Sequence, residues 1–413
     1  MRTLPAVILF GPFAIYAAEP TPISSLLTEA ARSNPAILAA RGAWQAAAHV
    51  PSQVSTMPDP QVTVQHVSVG SPRPFAGYSN SDFAYIGLGV SQDLPYPGKL
   101  KLKGEAAQRD VAITRQKLES VTRSVLQQVK DTYFQLAYIQ ETLGVLDRNG
   151  KLLEQIEKIA DARYRVGQGS QQEVLKAQLE RTKLQLEVVH HHDIMETQQA
   201  QLRKLLNRTA DSPDVTVETL VETPMSLSVD DLLAKIRVDN PEVAGQQEMI
   251  NRQTLQVEMA RKDKYPDFSL QYMWQHTAEP FRDYYMVSFS ARLPIYRRRK
   301  LNPEMNQAVE ELNKTKREYE GQVQSAFFDV RSQYIAAQTA SQMLKIYREG
   351  LIPQALETYQ SGLTSYQTGR QDFETLLSAF MDVLNFDQEY WKTLSEHEAA
   401  LSKMEQLTGV QIR

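Results

Sequence analysis

The sequence contains no cysteine, which excludes disulfide bonds, thiol catalysis and thiolate metal sites. Beyond the N-terminus it has no apolar run of about eighteen residues, so no transmembrane helix is expected in the mature chain. The formal net charge is only −4, which gives no basic field that would favour nucleic acid as a partner. A nucleophile elbow, a phosphate-binding glycine loop and an H-E-x-x-H zinc motif are all absent from the sequence. The sequence therefore predicts no enzyme, no cofactor and no metal site.

The N-terminus carries the one long apolar stretch. Arg2 precedes residues 4–18, which are mostly apolar and end in small side chains, and polar residues follow from Glu19. This pattern predicts a secretory signal peptide over residues 1–18. A buried N-terminal strand or helix is the alternative. A mature chain without apolar helices would have to cross a bilayer with strands.

The rest of the chain consists of two copies of about two hundred residues each. Repeat 1 is predicted over 19–206 and repeat 2 over 232–413, and the segment 207–231 between them breaks the helical pattern and predicts a small mixed subregion. Five segment pairs recur in the same order: Ser33–Ala47 with Asp239–Gln253, Met57–Gln65 with Tyr265–Met273, Leu94–Pro95 with Leu293–Pro294, Val129–Leu136 with Val323–Val330, and Tyr164–Ala177 with Tyr366–Ala379.

Each copy contains one pair of predicted strands. Apolar and aromatic residues alternate there with small or polar ones, as between Tyr285 and Leu293, which is the pattern of a strand with two different faces. The predicted strands are about 60–70 and 84–93 in the first copy, and 267–276 and 284–293 in the second.

Almost everything else is predicted to be helical. Apolar residues such as Leu146 and Leu153 recur at multiples of seven, which indicates a coiled-coil seam, and Leu175, Leu179, Leu186 and Val189 continue it after a turn. A helix over 99–165 would be about 100 Å long, which a compact globule cannot hold. The predicted helical parts are the long helices 99–165 and about 301–366, the tips 166–170 and 367–372, and the return helices 171–206 and 373–407.

Four strands cannot close a barrel, and open sheet edges in lipid would leave backbone groups without hydrogen bonds. Strands that span a membrane would therefore have to be pooled between protomers, since two copies give eight strands and three give twelve. The alternative is a small soluble sheet on a periplasmic coiled-coil scaffold.

The chain resembles the TolC-like outer-membrane efflux family over essentially its whole mature length. The residues that carry the resemblance are the corner Leu94–Lys99 and the two tips, Tyr164–Leu175 and Tyr366–Leu377. The resemblance implies a mainly α fold with a β-barrel part: a homotrimer with a twelve-stranded β-barrel in the outer membrane that continues into a twelve-helix α-barrel in the periplasm. It also implies a passive exit duct for metal ions or small toxic compounds, closest to the heavy-metal and drug efflux branch, served by a periplasmic adaptor and a proton-driven inner-membrane transporter. A duct for type I protein secretion stays open as an alternative, and the lipid anchor of some members is not expected because the chain has no cysteine.

The tips and the positions beside them are the candidate functional residues. Glycine supplies the positive φ needed after a helix end, and Ser170 or Asp372 can cap the returning helix. Contact with an adaptor is implied by the resemblance. Asp372 and Glu374 are candidate gate residues, although relatives that place aspartates on this helix are matched here by Thr375 and Ser378. The expected adaptor-contact residues are Val166, Gly167, Gln168, Gly169, Ser170, Thr368, Gly369, Arg370, Gln371 and Asp372.

Three further motifs have a structural interpretation beside a functional one. The run His190–Asp193 invites a metal interpretation, but consecutive helical residues point about 100° apart and cannot share one ion. The basic run Tyr296–Lys300 indicates interfacial anchoring or a solvated lining, with steering of anionic solutes as an alternative. The barrel-to-helix corners are predicted at Leu94, Pro95, Pro97, Gly98, Leu293 and Pro294.

Overall fold

The computed structural model describes residues 20–68, 83–277, 280 and 282–412. The predicted signal peptide, residues 1–18, lies outside this part of the chain. The chain divides into two compact units. Unit 1 comprises the chain up to Ile37 together with Thr122–Leu232 and Val330–Arg413, and unit 2 comprises Leu38–Val121 and Leu233–Asp329.

The described chain is mainly helical, and none of its helices is both long and apolar enough to cross a membrane. The longest, α4, has 67 residues and contains no proline. The helices are α1 (Ile23–Ser33), α2 (Pro35–Ala48), α3 (Val50–Ser55), α4 (Lys99–Arg165), α5 (Gln171–Leu206), α6 (Val229–Asp239), α7 (Pro241–Lys262), α8 (Asn302–Ile346), α9 (Ile352–Gln367) and α10 (Phe373–Thr408).

Four strands form one antiparallel sheet in unit 2, in the order β1-β2-β3-β4. The strands of the two repeats are hydrogen-bonded to each other along β2 and β3, so the sheet is continuous across the repeats. Within the described residues β1 and β4 each pair on one side only. The strands are β1 (Gln61–Val67), β2 (Tyr85–Leu94), β3 (Asp267–Thr277) and β4 (Tyr284–Arg292).

The register of the sheet collects the apolar residues on one face. Val64, Leu88, Trp274 and Tyr285 lie side by side across the four strands, and the neighbouring row is Val62, Val90, Tyr272 and Val287. All eight side chains are exposed. The opposite face carries mainly small, polar and methionine side chains, with Tyr85 and Tyr284 at one end: Gln61, Thr63, Gln65, Gly87, Gly89, Ser91, Gln271, Met273, Gln275, Met286 and Ser288.

The core of unit 1 lies between its long helices, and it follows the heptad pattern only on α4. Leu146, Leu153 and Ala160 are buried there as the seam predicts. On the first half of α5, residues 171–189, however, the buried residues are Ala177 and Leu184, and the predicted seam residues Leu175, Leu179, Leu186 and Val189 are exposed. The seam prediction for α5 is therefore wrong for the single chain, because α5 has two apolar stripes and packs its other stripe inward.

The long helix of repeat 2 also differs from the uninterrupted helix expected over about 301–366. A π-helical turn over Tyr347–Leu351 separates α8 from α9. Pro353 stands at the start of α9 and cannot donate the backbone hydrogen bond that an α-helix requires, and its ring crowds the carbonyl of Glu349. The wider π-helical turn accommodates the proline without ending the helix.

The segment between the repeats, predicted as a mixed subregion, contains neither helix nor strand from Asn207 to Ser228. Side chains of the surrounding helices hold it instead. The Gln199 amide exchanges two hydrogen bonds with the backbone of Val215, at 2.8 and 3.0 Å. The buried carboxylate of Glu398 accepts the N–H and the hydroxyl hydrogen of Thr223, both at 2.8 Å. Because these bonds replace a sheet ladder, hydrophobic periodicity could not predict the conformation.

Candidate functional site

The two helix tips, residues 166–170 and 367–372, end their incoming helices in the same way. Gly167 and Gly369 have φ values of 75° and 74°. In both tips the glycine N–H donates to the carbonyl three residues earlier at 3.0 Å, and the next N–H donates to the carbonyl five residues before it at 2.8 Å. These bonds satisfy carbonyls that a helix end leaves open, and the left-handed conformation that they require favours glycine.

Each outgoing helix begins with a side-chain cap. The Ser170 hydroxyl accepts the N–H of Glu173 at 3.4 Å, while the Glu173 carboxylate accepts the N–H of Ser170 at 3.3 Å, which is a capping box. Asp372 accepts both the N–H and the hydroxyl hydrogen of Thr375, at 2.8 and 2.9 Å. The bond from the Thr375 N–H, followed by that from its hydroxyl, lowers the pKa of Asp372. Asp372 is therefore an ionised helix cap.

A third glycine fixes the shape of the first tip by its small size. A Cβ on Gly169 would lie 3.2 Å from Cβ of Arg163 and 3.3 Å from Oε2 of Glu173. The loop therefore lies directly against α4, and only glycine fits without displacing a neighbour. Eight of the ten tip residues that the sequence identified are exposed, and the other two, Gly169 and Gln371, are half-buried.

The side chains of Arg163, Tyr366 and Glu173 join the two tips. The Arg163 guanidinium lies over the Tyr366 ring, 4.6 Å from its centroid. It also donates to the Tyr366 carbonyl and, at 2.9 Å, to the carbonyl of Gln168. The Tyr366 hydroxyl donates to Glu173 at 2.5 Å. Since the three side chains come from α4, α9 and α5, they hold the ends of three helices together.

The equivalent tyrosines of the two repeats differ in their surroundings. Tyr366 is 1 % exposed and its ring contacts Phe373 edge-on, with the centroids 5.8 Å apart. Tyr164, at the same place in repeat 1, is 45 % exposed. Burial, followed by the bond to Glu173, raises the pKa of Tyr366. The repeated motif therefore supplies one structural tyrosine and one that is available at the surface.

The second candidate gate residue, Glu374, lies in the first turn of α10 and is exposed. Its carboxylate forms an ion pair with Lys176 of α5 within the same chain. That pairing offsets the negative charge that a ring of Glu374 carboxylates would present. The structure brings Glu374 close to the tip but leaves Asp372 engaged as a cap.

The corner between β2 and α4 is held by charged groups that sequence analysis did not identify. Asp267, at the start of β3, accepts the N–H of Tyr96 at 2.8 Å. Lys99 forms ion pairs with Asp267 at 3.0 Å and with Asp263 at 3.2 Å, and its side chain is largely buried. Gly98 turns the chain into α4 with a φ of 90°. The predicted residues Leu94, Pro95 and Pro97 lie in the same corner, between the end of β2 and the start of α4.

The second corner is built differently. β4 ends at Arg292, so Leu293 and Pro294 lie just beyond the strand, and the chain then enters a π-helical turn over Arg297–Leu301. No residue of this corner has a positive φ. The equivalent corners therefore share their place in the repeat but not their turn chemistry.

The histidine run, residues 190–192, lies within α5. His191 is half-buried and contacts the Tyr138 ring edge-on, with the centroids 6.2 Å apart. Burial, and then the neighbouring His190, lowers the pKa of His191. Across the described ranges no three histidine, aspartate or glutamate side chains are placed to hold a metal ion.

Comparison with known proteins agrees with this geometry. The sequence profile of the family described as Outer membrane efflux protein matches residues 26–208 and 232–410, one match for each repeat. The chain belongs to the outer membrane efflux protein family. Members of this family are passive outer-membrane channels rather than enzymes, and they reside in the outer membrane. The hypothesis of a soluble periplasmic scaffold is therefore wrong.

Individual members of the family are similar to the chain at low identity. The pyoverdine export outer membrane protein OpmQ of Pseudomonas putida is 21 % identical over 343 residues, which cover 78 % of this chain and 70 % of that protein. The crystal structure of VceC from Vibrio cholerae superposes with a TM-score of 0.79 at 15 % identity, covering 95 % of this chain and 97 % of that one. The open-state MtrE channel of Neisseria gonorrhoeae gives a TM-score of 0.77 at 17 % identity, covering 94 % and 88 %.

For an outer membrane efflux protein, the residues missed by sequence analysis are those that fasten the tips and the first corner. Arg163 directly precedes the tip motif and Glu173 lies in it, but nothing in the sequence indicates that they bind Tyr366, 203 and 193 residues away. Lys99 and Asp267 are 168 residues apart. A signal for the pair of Lys99 and Asp267 did exist: Lys99 stands at the predicted start of a long helix, Asp267 stands at the predicted start of a strand, and their charges are opposite.

Proposed function

We propose that the protein is a homotrimeric exit duct in which three copies close a twelve-stranded barrel in the outer membrane. The observation that carries this proposal is the single sheet with an apolar exposed face and two edge strands, β1 and β4, in an outer-membrane protein. Backbone groups on open edges cannot stay without hydrogen bonds in lipid. Because β1 and β4 run antiparallel, the β4 edge of one copy can pair with the β1 edge of the next.

The helical part supports assembly from several copies. The exposed stripe on α5, formed by Leu175, Leu179, Leu186 and Val189, spans about four turns of helix. An apolar stripe of this length is covered in a stable protein. In the trimer we place a helix of the neighbouring copy against it, so that twelve long helices enclose the continuation of the barrel.

The exposed tips supply the contact with the rest of an efflux machine. Val166 and Arg370 are exposed at the two tips. The helices that leave the tips are capped by Ser170 and Asp372, which fixes the conformation of each loop. A rigid loop loses little conformational freedom on binding, which suits a docking surface. We assign this surface to a periplasmic adaptor, which links the duct to an inner-membrane, proton-driven transporter. Glu374 remains the candidate gate residue, with its charge filter weakened by Lys176.

We propose small molecules or metal ions as the cargo, in preference to polypeptides. The support is the relative OpmQ, whose name gives pyoverdine export as its function. A passive duct does not choose its cargo, because the partner transporter does. Deletion of the gene followed by a sensitivity panel of metals, drugs and siderophores tests this assignment. Unchanged tolerance together with loss of a secreted polypeptide would favour type I secretion instead.

Membrane fractionation and gel mobility test the duct itself. The protein should be recovered in the outer membrane as an oligomer that runs compactly without heating and as a monomer after boiling. Recovery as a monomer in the soluble periplasm would contradict the proposal.

A further inference from the structure

The segment Leu293–Lys300, directly after β4, combines an apolar start with a basic end. Leu293, Ile295 and Tyr296 are 65 %, 68 % and 70 % exposed. Leu293 and Ile295 continue the odd-numbered series of β4, whose members Val287 and Phe289 lie on the apolar face of the sheet. Exposed apolar side chains therefore continue past the last ladder hydrogen bond into the second corner.

Four cations follow at once. Arg297, Arg298, Arg299 and Lys300 form a π-helical turn, and all four side chains are exposed. In the described ranges none of them has a carboxylate within 4.0 Å. Asp263 and Asp267, which line the same groove as Lys300, are already paired with Lys99.

The arrangement of these charges matters for what they can bind. Successive residues of a helical turn point in different directions, so the four cations fan out around the turn and do not converge on one point. A small free anion needs convergent donors, whereas a layer of phosphate groups is met by charges that spread over an area. An open groove of about 330 Å³ lies beside the turn. Its charged lining consists of Lys99, Arg292 and Lys300 together with Asp263, Asp267 and Glu304.

Tyrosines mark the same level of the sheet. Tyr96 of the first corner stacks on Tyr265, with the ring centroids 4.5 Å apart, and the Lys262 ammonium lies 5.8 Å from the centre of the Tyr96 ring. Together with Tyr296 they form an aromatic and basic rim at the end of the sheet where the long helices begin. Aromatic rings and basic side chains are both typical of the boundary between hydrocarbon and headgroups.

We propose that Leu293–Lys300 is a docking surface for anionic phospholipid headgroups in the leaflet at the periplasmic end of the barrel. The apolar residues enter the hydrocarbon edge, and Arg297–Lys300 bind the headgroup phosphates. The proposal rests on the proposed function, because it requires the sheet to span the outer membrane.

The test compares the trimer purified in neutral detergent with the variant Arg297→Gln/Arg298→Gln/Arg299→Gln/Lys300→Gln. The charge-matched control is Lys151→Gln/Lys158→Gln/Arg181→Gln/Lys183→Gln, four cations on α4 and α5 outside the second corner. Native mass spectrometry counts retained lipid during titration with phosphatidylglycerol or phosphatidylcholine of the same acyl chains, and inorganic phosphate is added as a competitor.

Wild type and control should bind phosphatidylglycerol with equal affinity and in preference to phosphatidylcholine. One basic residue near an anionic surface contributes about fivefold to binding, so the four-glutamine variant should bind more than about tenfold more weakly. Equal affinity of the variant, no preference for the anionic lipid, or complete displacement by millimolar phosphate would each overturn the inference. A wild-type protein that is not an outer-membrane oligomer would refute the proposed function itself, so the two failures are distinguishable.

Discussion

The hydroxyl of Tyr366, in the last turn of α9, donates to Oε2 of Glu173, in the first turn of α5, over 2.5 Å. The bond links the end of a helix in repeat 2 to the start of a helix in repeat 1. Burial and the Glu173 carboxylate both raise the pKa of Tyr366, so the phenol stays protonated as a donor throughout the physiological range. The two tips are therefore one mechanical unit within each chain.

Replacing Tyr366 with phenylalanine removes the donor while keeping the ring under Arg163. We expect a loss of about 1–2 kcal/mol, because a hydrogen bond to a charged group is lost. Faster hydrogen exchange should appear at the amides of both tips, residues 164–173 and 366–375. Tyr164→Phe is the matched control, since Tyr164 is exposed. Equal exchange rates in the two variants would show that the bond does not brace the tips.

Substitution of two glycines, Gly150 in α4 and Gly167 in its tip, distinguishes the effect of backbone strain from that of steric crowding. A Cβ on either Gly150 or Gly167 would have no atom within 4 Å, but only Gly167 has a positive φ. Gly167→Ala should therefore lower stability by about 1 kcal/mol and impair efflux, whereas Gly150→Ala in the helix should be neutral or stabilising by about 0.5 kcal/mol. Thermal unfolding of the purified protein and drug tolerance of cells measure both effects. If Gly167→Ala changed neither the unfolding temperature nor drug tolerance, the tip would not require the positive φ at residue 167.

Lys99 is expected to hold the first corner. Lys99→Met leaves the carboxylates of Asp263 and Asp267 without their shared cation, which should cost about 2 kcal/mol because the lysine is largely buried. Lys101→Met is the control, since Lys101 is exposed and its pair with Glu105 contributes at most about 0.5 kcal/mol. Samples of each variant are heated to a series of temperatures and run on a gel. The temperature at which the band of the folded form is replaced by that of the unfolded monomer measures the stability of each variant. Similar temperatures for the two variants would contradict a structural role for the corner pair.

Asp131 of α4 gives the protein a predictable dependence on pH. Burial raises its pKa from 3.8 to about 6, against the opposing hydrogen bond from Gln127. The folded state therefore binds this proton more tightly than the unfolded state does. Ionisation of Asp131 therefore lowers the free energy of unfolding. This destabilisation is absent below pH 3.8, grows as the pH rises to about 6, and is constant above that.

Asp131→Asn should consequently raise the unfolding temperature at pH 7.5 and leave it almost unchanged at pH 4. The difference at neutral pH should correspond to about 1–2 kcal/mol, since the carboxylate is partly exposed. Asp147→Asn, at an exposed position of the same helix, controls for the change in charge. A stabilisation by Asp131→Asn that is equal at both pH values would show that ionisation of Asp131 is not its cause.

The features that the sequence could predict are those with a local cause. Alternation along Tyr285–Leu293 indicates a two-faced strand, because successive strand residues point to opposite faces. Gly167 and Gly369 indicate helix ends, because only glycine adopts their conformation at little cost. The absence of proline over residues 99–165 is compatible with the single helix α4.

The features that it could not predict depend on contacts between distant residues. The motif gives Tyr164 and Tyr366 the same place in each repeat, but which of them is buried depends on Phe373 and Glu173. Likewise, the two apolar stripes of α5 look equivalent in sequence, and packing decides that Ala177 and Leu184 face inward. The sequence shows a proline at position 353. It does not show whether that proline ends the helix or is accommodated by a π-helical turn, because this depends on how the helix packs against its neighbours.

The central claim is that the β4 edge of one copy pairs with the β1 edge of another, and the absence of native cysteine makes a disulfide scan a clean test. Single cysteines at Gln61, Thr63 or Gln65 of β1 are combined with single cysteines at Met286, Ser288 or Ser290 of β4, and the membranes are oxidised. Opposite residues on neighbouring strands have Cβ atoms about 4.5–5.5 Å apart, close enough for a disulfide after small adjustments. The pair Gly89→Cys and Met273→Cys, which face each other on β2 and β3 of one chain, is the control that should not change the apparent mass. We expect at least one β1–β4 combination to give a covalent trimer that is released by reducing agent. Oxidation that yields only monomers in all nine combinations would contradict the closed trimeric barrel.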